Sequence, residues 1–379
     1  MIGREGFGMR ISESFGRVTS ALVLALAATA SFGNRQGQAP QSNLASSVEE
    51  LARIKPGPEL DKSIAALAGQ GDRAVEEIGR QLAAETPDFL LVHASVRVLK
   101  EVNSAKSRAL LRRLALGEMT DGNGNLEAWA ASRLLSCDTQ EAANLLSAPS
   151  AQVLLVALNS MAEQQLDGKN LPRVKKCLEN RDPLVCRRAA AVLAKAPGGQ
   201  PAKEAVEALG QALAKVGGLA GANDLDERQY RFAGYLTLGE SHYWSFASAL
   251  ADAHIDNRSL HELAGRQEGR ARDAVYLALA RRGDTTVHDQ MVRLAQDSRA
   301  GLFRAWAARS LGDIGSKADV ALLEKIATTD PLERKGPLGP PNPIDSVGPT
   351  FPVRAAARDA IRAIENRQRA RQAGAGKAS

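Results

Sequence analysis

A chain of 379 residues with 44% hydrophobic residues, 4% aromatic residues and a net charge of +6 has room for two ordinary domains or one elongated repeat array. So few large rings exclude a core built on aromatics, and three cysteines, an odd number, exclude a disulfide framework. The basic excess is interleaved with acidic residues along most of the chain, the pattern of a solvated surface rather than of a polyanion-binding face.

In chain order, residues 1–30 come first. Arg4, Arg10 and Arg17 give a basic start, residues 21–27 form a short apolar run, and Ala28-Thr29-Ala30 supplies small residues for cleavage. These are the parts of a secretory signal peptide; an uncleaved anchor or a buried helix is the competing reading. The apolar run is well short of the ~20 residues that a spanning helix needs. No transmembrane segment is expected after cleavage, and the expected location is periplasmic or extracellular, in a bacterium. Residues 31–46, rich in Gln, Ser, Asn, Gly and Ala, read as a flexible linker.

Residues 47–330 then repeat one theme. Residues 128–134 read Ala-Trp-Ala-Ala-Ser-Arg-Leu, and residues 305–311 read Ala-Trp-Ala-Ala-Arg-Ser-Leu; looser copies stand at 187–193, 273–279 and 353–358. A leucine or isoleucine closes each copy, at Leu99, Leu134, Leu158, Leu193, Leu236, Leu279, Leu311 and Ile361. Most intervals match one helix–turn–helix unit. In the unit at 182–196, Asp182 caps a helix, Pro183 fits its first turn, and Val185, Ala189, Val192, Leu193 and Ala196 form one apolar stripe. Near 303–326, Phe303, Ala307, Leu311 and Ile314 form a similar stripe, Gly315 ends the helix, and a second helix starts at Val320. One pair cannot cover its own apolar face, so the pairs must stack.

These residues carry a resemblance. Phe303-Arg304 with Ala307, Ala308, Leu311, Gly312, Ile314 and Gly315, and Val353-Arg354 with Ala357, Ala360, Ile361 and Ile364, look like the HEAT-like repeats named after phycobilisome lyases. The resemblance spans residues 48–365 and is sharp in four or five units. It implies an all-α fold, a right-handed α-solenoid of stacked antiparallel helix pairs, and it says almost nothing about function. Tetratricopeptide repeats, the rival architecture, would need an aromatic and proline signature that is missing.

Two segments break the pattern. Residues 331–352 hold seven prolines, so helix cannot persist and a loop insertion is expected before a final repeat helix at 353–366. A disordered basic tail is expected at 367–379. The second break is a cluster of aromatics: Tyr230, Phe232, Tyr235, Tyr243, Trp244 and Phe246, with Arg228 and Arg231 beside them. Large rings here either fill a wide gap between repeats or form a binding hot spot. The candidate partner-binding residues are Tyr230, Arg231, Phe232, Tyr235, Tyr243 and Trp244.

Catalytic patterns are weak. His261-Glu262 is one His-Glu pair, where the iron site of deoxyhypusine hydroxylase, a HEAT-repeat enzyme, needs several. Asp121, Asn123 and Asn125 begin like a calcium loop, but Leu126 and Ser132 stand where Gly and Glu are required. No catalytic residue, metal site or cofactor is expected. Cys177 and Cys186 fall on consecutive predicted helices and either pair or stay buried free thiols. The expected function is a non-catalytic scaffold or adaptor of the cell envelope, with another protein as its partner and no nucleic acid. The alternatives are a tetrapyrrole-handling enzyme of the phycobilin lyase kind, implied by the resemblance, and a polyanion-binding module, suggested by the tail, which could touch anionic surfaces.

Overall fold

The computed structural model describes residues 41–84, 88–120, 124–216, 238–297, 302–332 and 351–375. Within them every regular element is a helix. After α1 (Gln41–Glu50) come α2 (Pro58–Ala68) and α3 (Asp72–Ala84), α4 (Phe89–Val102) and α5 (Ala105–Ala115), α6 (Gly124–Cys137) and α7 (Ala142–Leu145), and α8 (Ala151–Ala162) and α9 (Leu171–Cys177). Then follow α10 (Pro183–Leu193) and α11 (Gln200–Val216), α12 (Leu238–Asp252) and α13 (Asn257–Arg266), α14 (Gly269–Arg281) and α15 (His288–Gln296), α16 (Phe303–Ile314) and α17 (Val320–Thr329), and last α18 (Pro352–Ala375). The even-numbered helices form a first row, each packed on the next, and α3 to α17 form a second row packed against it. This is an all-α solenoid of stacked helix pairs.

The sequence produces these elements by repeated local rules. Asp88, Ser104, Asp182 and Asp256 each accept a hydrogen bond from a backbone N–H in the first turn of the following helix, satisfying donors that a helix start leaves open. Four second-row helices open through one tighter turn, capped by the side chains of Asp138, Asp167, Asp284 and Ser316. The closing residues Leu99, Leu134, Leu158, Leu193, Leu279 and Leu311 are all fully buried. Alanine fills much of the space between helices, so axes can approach closely. At Gly312 a Cβ would lie 2.9 Å from the Cα of Ala360, which sets how near α16 comes to α18.

Three expectations need adjusting. Helix α1 begins at Gln41, inside the segment expected to be a linker, because Val48 and Leu51 are buried and the Gln81 side chain donates to Ala45 O at 2.9 Å. The final helix continues past residue 366, so residues 367–375 are helical rather than a disordered tail. Gln, Arg and Ala there are good helix formers, and Arg367 donates to the carbonyls of Gly312 and Gly315 at the open C-terminal end of α16. Ile361 is half-buried while Ile364 takes the core position. Leu236, residues 1–40 and residues 333–350 lie outside the described residues. In α12 the fully buried leucine is Leu250.

Cys177 and Cys186 are free and buried. The Cys186 thiol donates to Asn180 O at 3.0 Å. Burial pushes both thiols up to about 11.

Candidate functional site

The two rows differ in how their charges are satisfied. On the second row, neighbouring units are tied by ion pairs: Lys106 with Glu76, Lys215 with Glu179 at 3.0 Å, Arg266 with Glu207 at 2.8 Å, and Arg112 with Glu141, where Nε lies 2.8 Å from a carboxylate oxygen. The Arg112 hydrogen bond holds the Glu141 carboxyl below the usual range. Histidines do the same work further along, with His261 Nε2 at 2.9 Å from Asp284 and His288 Nε2 at 2.9 Å from Asp319. Such a face is internally neutralised. Each exposed pair contributes little by itself, because water screens it.

The outward side of the first row is built from different groups. The three large apolar side chains most open to solvent among the described residues are Phe89 (53% exposed), Leu90 (47%) and Leu184 (41%), all in the first turns of first-row helices. From Phe89 a stack of planar groups runs onto α6. The His93 ring lies 6.2 Å from Phe89 and 4.7 Å from Trp129, with planes within 19° and 13°. The Arg133 guanidinium then sits 3.9 Å above the Trp129 ring, a cation–π contact. Burial, then Arg97 and Arg133, lower the His93 pKa. Arg97 is paired with Asp61 at 2.6 Å. Arg133 has no carboxylate partner among the described residues, and neither its Nε nor the Trp129 Nε1 has a hydrogen-bond acceptor. Further along the row, Arg188 donates to the neutral amide of Asn159, and Arg281 to the hydroxyl of Ser248.

Of the aromatic cluster expected near residue 240, Tyr230, Arg231, Phe232 and Tyr235 lie outside the described residues. Tyr243 and Trp244 are on α12, and the structure places them inward. Tyr243 and Phe246 are buried. Tyr243 meets Phe303 edge-on at 5.5 Å, and Trp244 stacks on Trp306 at 4.8 Å. Burial raises the Tyr243 hydroxyl pKa. Trp244 is half-buried, with the Arg281 guanidinium 5.2 Å from its ring. Helix α14 packs against both α12 and α16, and its residues Leu277 to Ala280 are completely buried, so the tryptophan pair joins the two helices that flank it.

Sequence reasoning missed Phe89, His93 and Arg133, and took Trp129 only as part of the repeated motif. A signal was present. The repeated Ala-Trp-Ala-Ala motif puts Trp129 and Trp306 at the same position of two units, and each stacks on a ring from an earlier first-row helix, His93 or Trp244.

Among the described residues no group of three His, Cys, Asp or Glu is arranged to hold a metal ion, and no helix is long and apolar enough to cross a membrane. His261 is a half-exposed residue of α13 engaged with Asp284 and Thr286. Of the segment resembling a calcium loop, residues 121–123 lie outside the described residues. Nearby Glu127, buried on α6, accepts from the Thr120 hydroxyl at 3.0 Å.

Repeated helix pairs, buried closing leucines and capped inter-helix turns define an α-solenoid. Comparison with known families agrees: residues 257–335, spanning α13 to the end of α17, match the family of HEAT repeats. Over those residues the chain is similar to HEAT repeats. Among curated proteins, none matches it. Among solved structures, an engineered protein from the Northeast Structural Genomics Consortium aligns over 86% of this chain and 92% of its own, at 15% identity and a TM-score of 0.32; so loose a superposition carries no argument.

Proposed function

We propose that this protein is a non-catalytic binding scaffold that engages another protein through the outward side of its first helix row. HEAT repeats commonly serve as interaction scaffolds. One observation carries the choice of face. Several second-row charges are tied to each other across units, whereas the first row exposes Phe89 and Leu90 on α4 and Leu184 on α10, and Arg133 on α6 has no carboxylate partner among the described residues. Apolar side chains with an unneutralised arginine are what interfaces are enriched in, and interleaved ion pairs are not. The basic, apolar and small-residue sequence of residues 1–30 supports export, so the partner is sought in the periplasm or outside the cell. The repeats are read as the phycobilisome-lyase-like type on the strength of Phe303–Gly315 and Val353–Ile364.

A photo-crosslinking residue placed in turn at Phe89, Leu184, Lys176 and Lys325 tests the face in living cells. Phe89 and Leu184 stand on the first row, and Lys176 and Lys325 are exposed on the second. Discrete protein adducts from the first two positions alone are expected. Adducts confined to the second row, or equal from both rows, refute the assignment.

A further inference from the structure

The stack from Phe89 to Arg133 has an open apolar end and a cation with no acid partner among the described residues, and together they describe what covers it. We propose that the α4–α6 surface docks a partner-protein segment that carries a single carboxylate side chain among apolar ones. This rests on the scaffold reading and narrows it to one patch and one ligand chemistry.

The apolar part of the ligand follows from exposure. Phe89 and Leu90 are each about half open to water, and covering such side chains is favourable by about 25 cal/mol for each Å² buried. The carboxylate follows from charge. Arg133 lies flat on Trp129 with no acid partner among the described residues. Its Nε and the Trp129 Nε1 point to no acceptor, although buried donors are nearly always paired. Both of those atoms are shielded from solvent, so an incoming group meets the outer end of the guanidinium, whose fork favours a carboxylate over a lone carbonyl.

The surroundings argue for one anion rather than many. Asp88 caps α4 directly beside Leu90, Asp61 occupies Arg97, and Glu101 occupies Lys100 at 3.0 Å. A polyphosphate or a sheet of anionic headgroups would meet these acids, whereas one side chain reaching Arg133 avoids them. Docking there puts the carboxylate at the closed end of the stack and apolar neighbours over Phe89 and Leu90.

Selection from a displayed library of random short peptides, using the full purified chain as bait, tests the idea. The expected outcome is enrichment of peptides with Asp or Glu next to Leu, Ile or Phe. A synthetic copy of the enriched sequence should shift the ring resonances of His93 and Trp129. Changing its carboxylate to the amide, or Arg133→Gln in the protein, should each weaken binding by about tenfold or more. Arg133→Lys keeps the charge without the fork and should fall between. Lys325→Ser, exposed on the second row, should leave affinity unchanged.

Several outcomes would overturn the proposal: no enrichment, enrichment without acids, or affinity indifferent to Arg133→Gln in a folded protein. So would flotation with anionic vesicles that depends on Phe89 and Leu90, which would assign the patch to lipid. A dimer that Leu90→Ser dissolves would assign it to a second copy of the chain. If crosslinks form at Leu184 while the α4–α6 patch selects nothing, this inference falls and the scaffold reading stands.

Discussion

Removing one carboxylate, by Asp330→Ala, should unfasten the C-terminal units. Arg304 on α16 and Asp330 at the end of α17 form a pair that is 5% and 7% exposed. Nε lies 2.8 Å from Oδ2 and Nη2 lies 3.1 Å from Oδ1, the two-pronged geometry in which arginine binds a carboxylate best. The same aspartate accepts from Leu332 N through its side chain and from Arg354 Nε through its backbone carbonyl, at 2.9 and 2.7 Å, so it joins α16, α17 and α18. Truncation takes from a buried guanidinium the carboxylate that meets it in two prongs, which costs about 3–5 kcal/mol. A domain's whole stability is about 5–15 kcal/mol, so the loss is large. Because stacked repeats couple to their neighbours, it should fall locally. Amides of α16 to α18 should lose hydrogen-exchange protection while those of α4 to α8 keep theirs. The double change Arg304→Met with Asp330→Leu removes both charges and should recover most of the loss. The reasoning is refuted if Asp330→Ala leaves exchange in α16 unchanged, or if the double variant is as unstable as the single one.

Other consequences are as specific. Gly312→Ala should cost about 1–3 kcal/mol in urea unfolding, because its Cβ would meet the backbone of Ala360. Gly210→Ala should cost less, since it meets side-chain ends, of Leu263 and Gln267, rather than backbone. With thiols pushed up to about 11 and buried, Cys177 and Cys186 should resist a thiol reagent at neutral pH and react once the chain unfolds, whereas half-buried Cys137 should react first in the native protein. At His288 burial lowers the pKa, but the carboxylates of Asp289 and Asp319 outweigh it and hold it above the ordinary value of 6.5. A folded-state pKa raised above the unfolded one stabilises below the unfolded pKa, and that contribution is lost as pH rises through the folded value. His288→Gln should therefore cost more stability in mildly acidic than in alkaline buffer, and an equal cost at both would contradict the pairing.

Much of the fold was legible because its rules are local. Asp182 before Pro183 announced a cap, and its side chain does accept from Leu184 N at 2.7 Å. Val185, Ala189, Val192, Leu193 and Ala196 announced a stripe, and all are buried. Gly315 announced the end of α16 and stands at its C-terminal cap. The surface was less legible because its contacts join distant residues. Nothing in the spacing of His93 and Trp129, or of Trp244 and Trp306, says that their rings stack across units. Aromatic density near residue 240 drew attention to Tyr243 and Trp244, which the structure uses for packing. Phe89 and Leu90 drew none, since two apolar residues at the start of a helix look like core until burial is measured. The arginines of α18 looked like a tail because their number hides the one, Arg367, that closes the end of α16.

The tryptophan pair has a mechanical consequence. In an array where each unit touches only its neighbours, pulling on one end should peel units off one after another, with force peaks of similar height. Trp244 and Trp306 instead link α12 to α16 over the intervening α14. Under load from the C-terminus, α16 cannot leave without breaking a contact two units away, and α14 is clasped until it does. A force–extension trace should therefore show α12 to α16 yielding together as one taller rip, which Trp306→Leu should split into smaller steps.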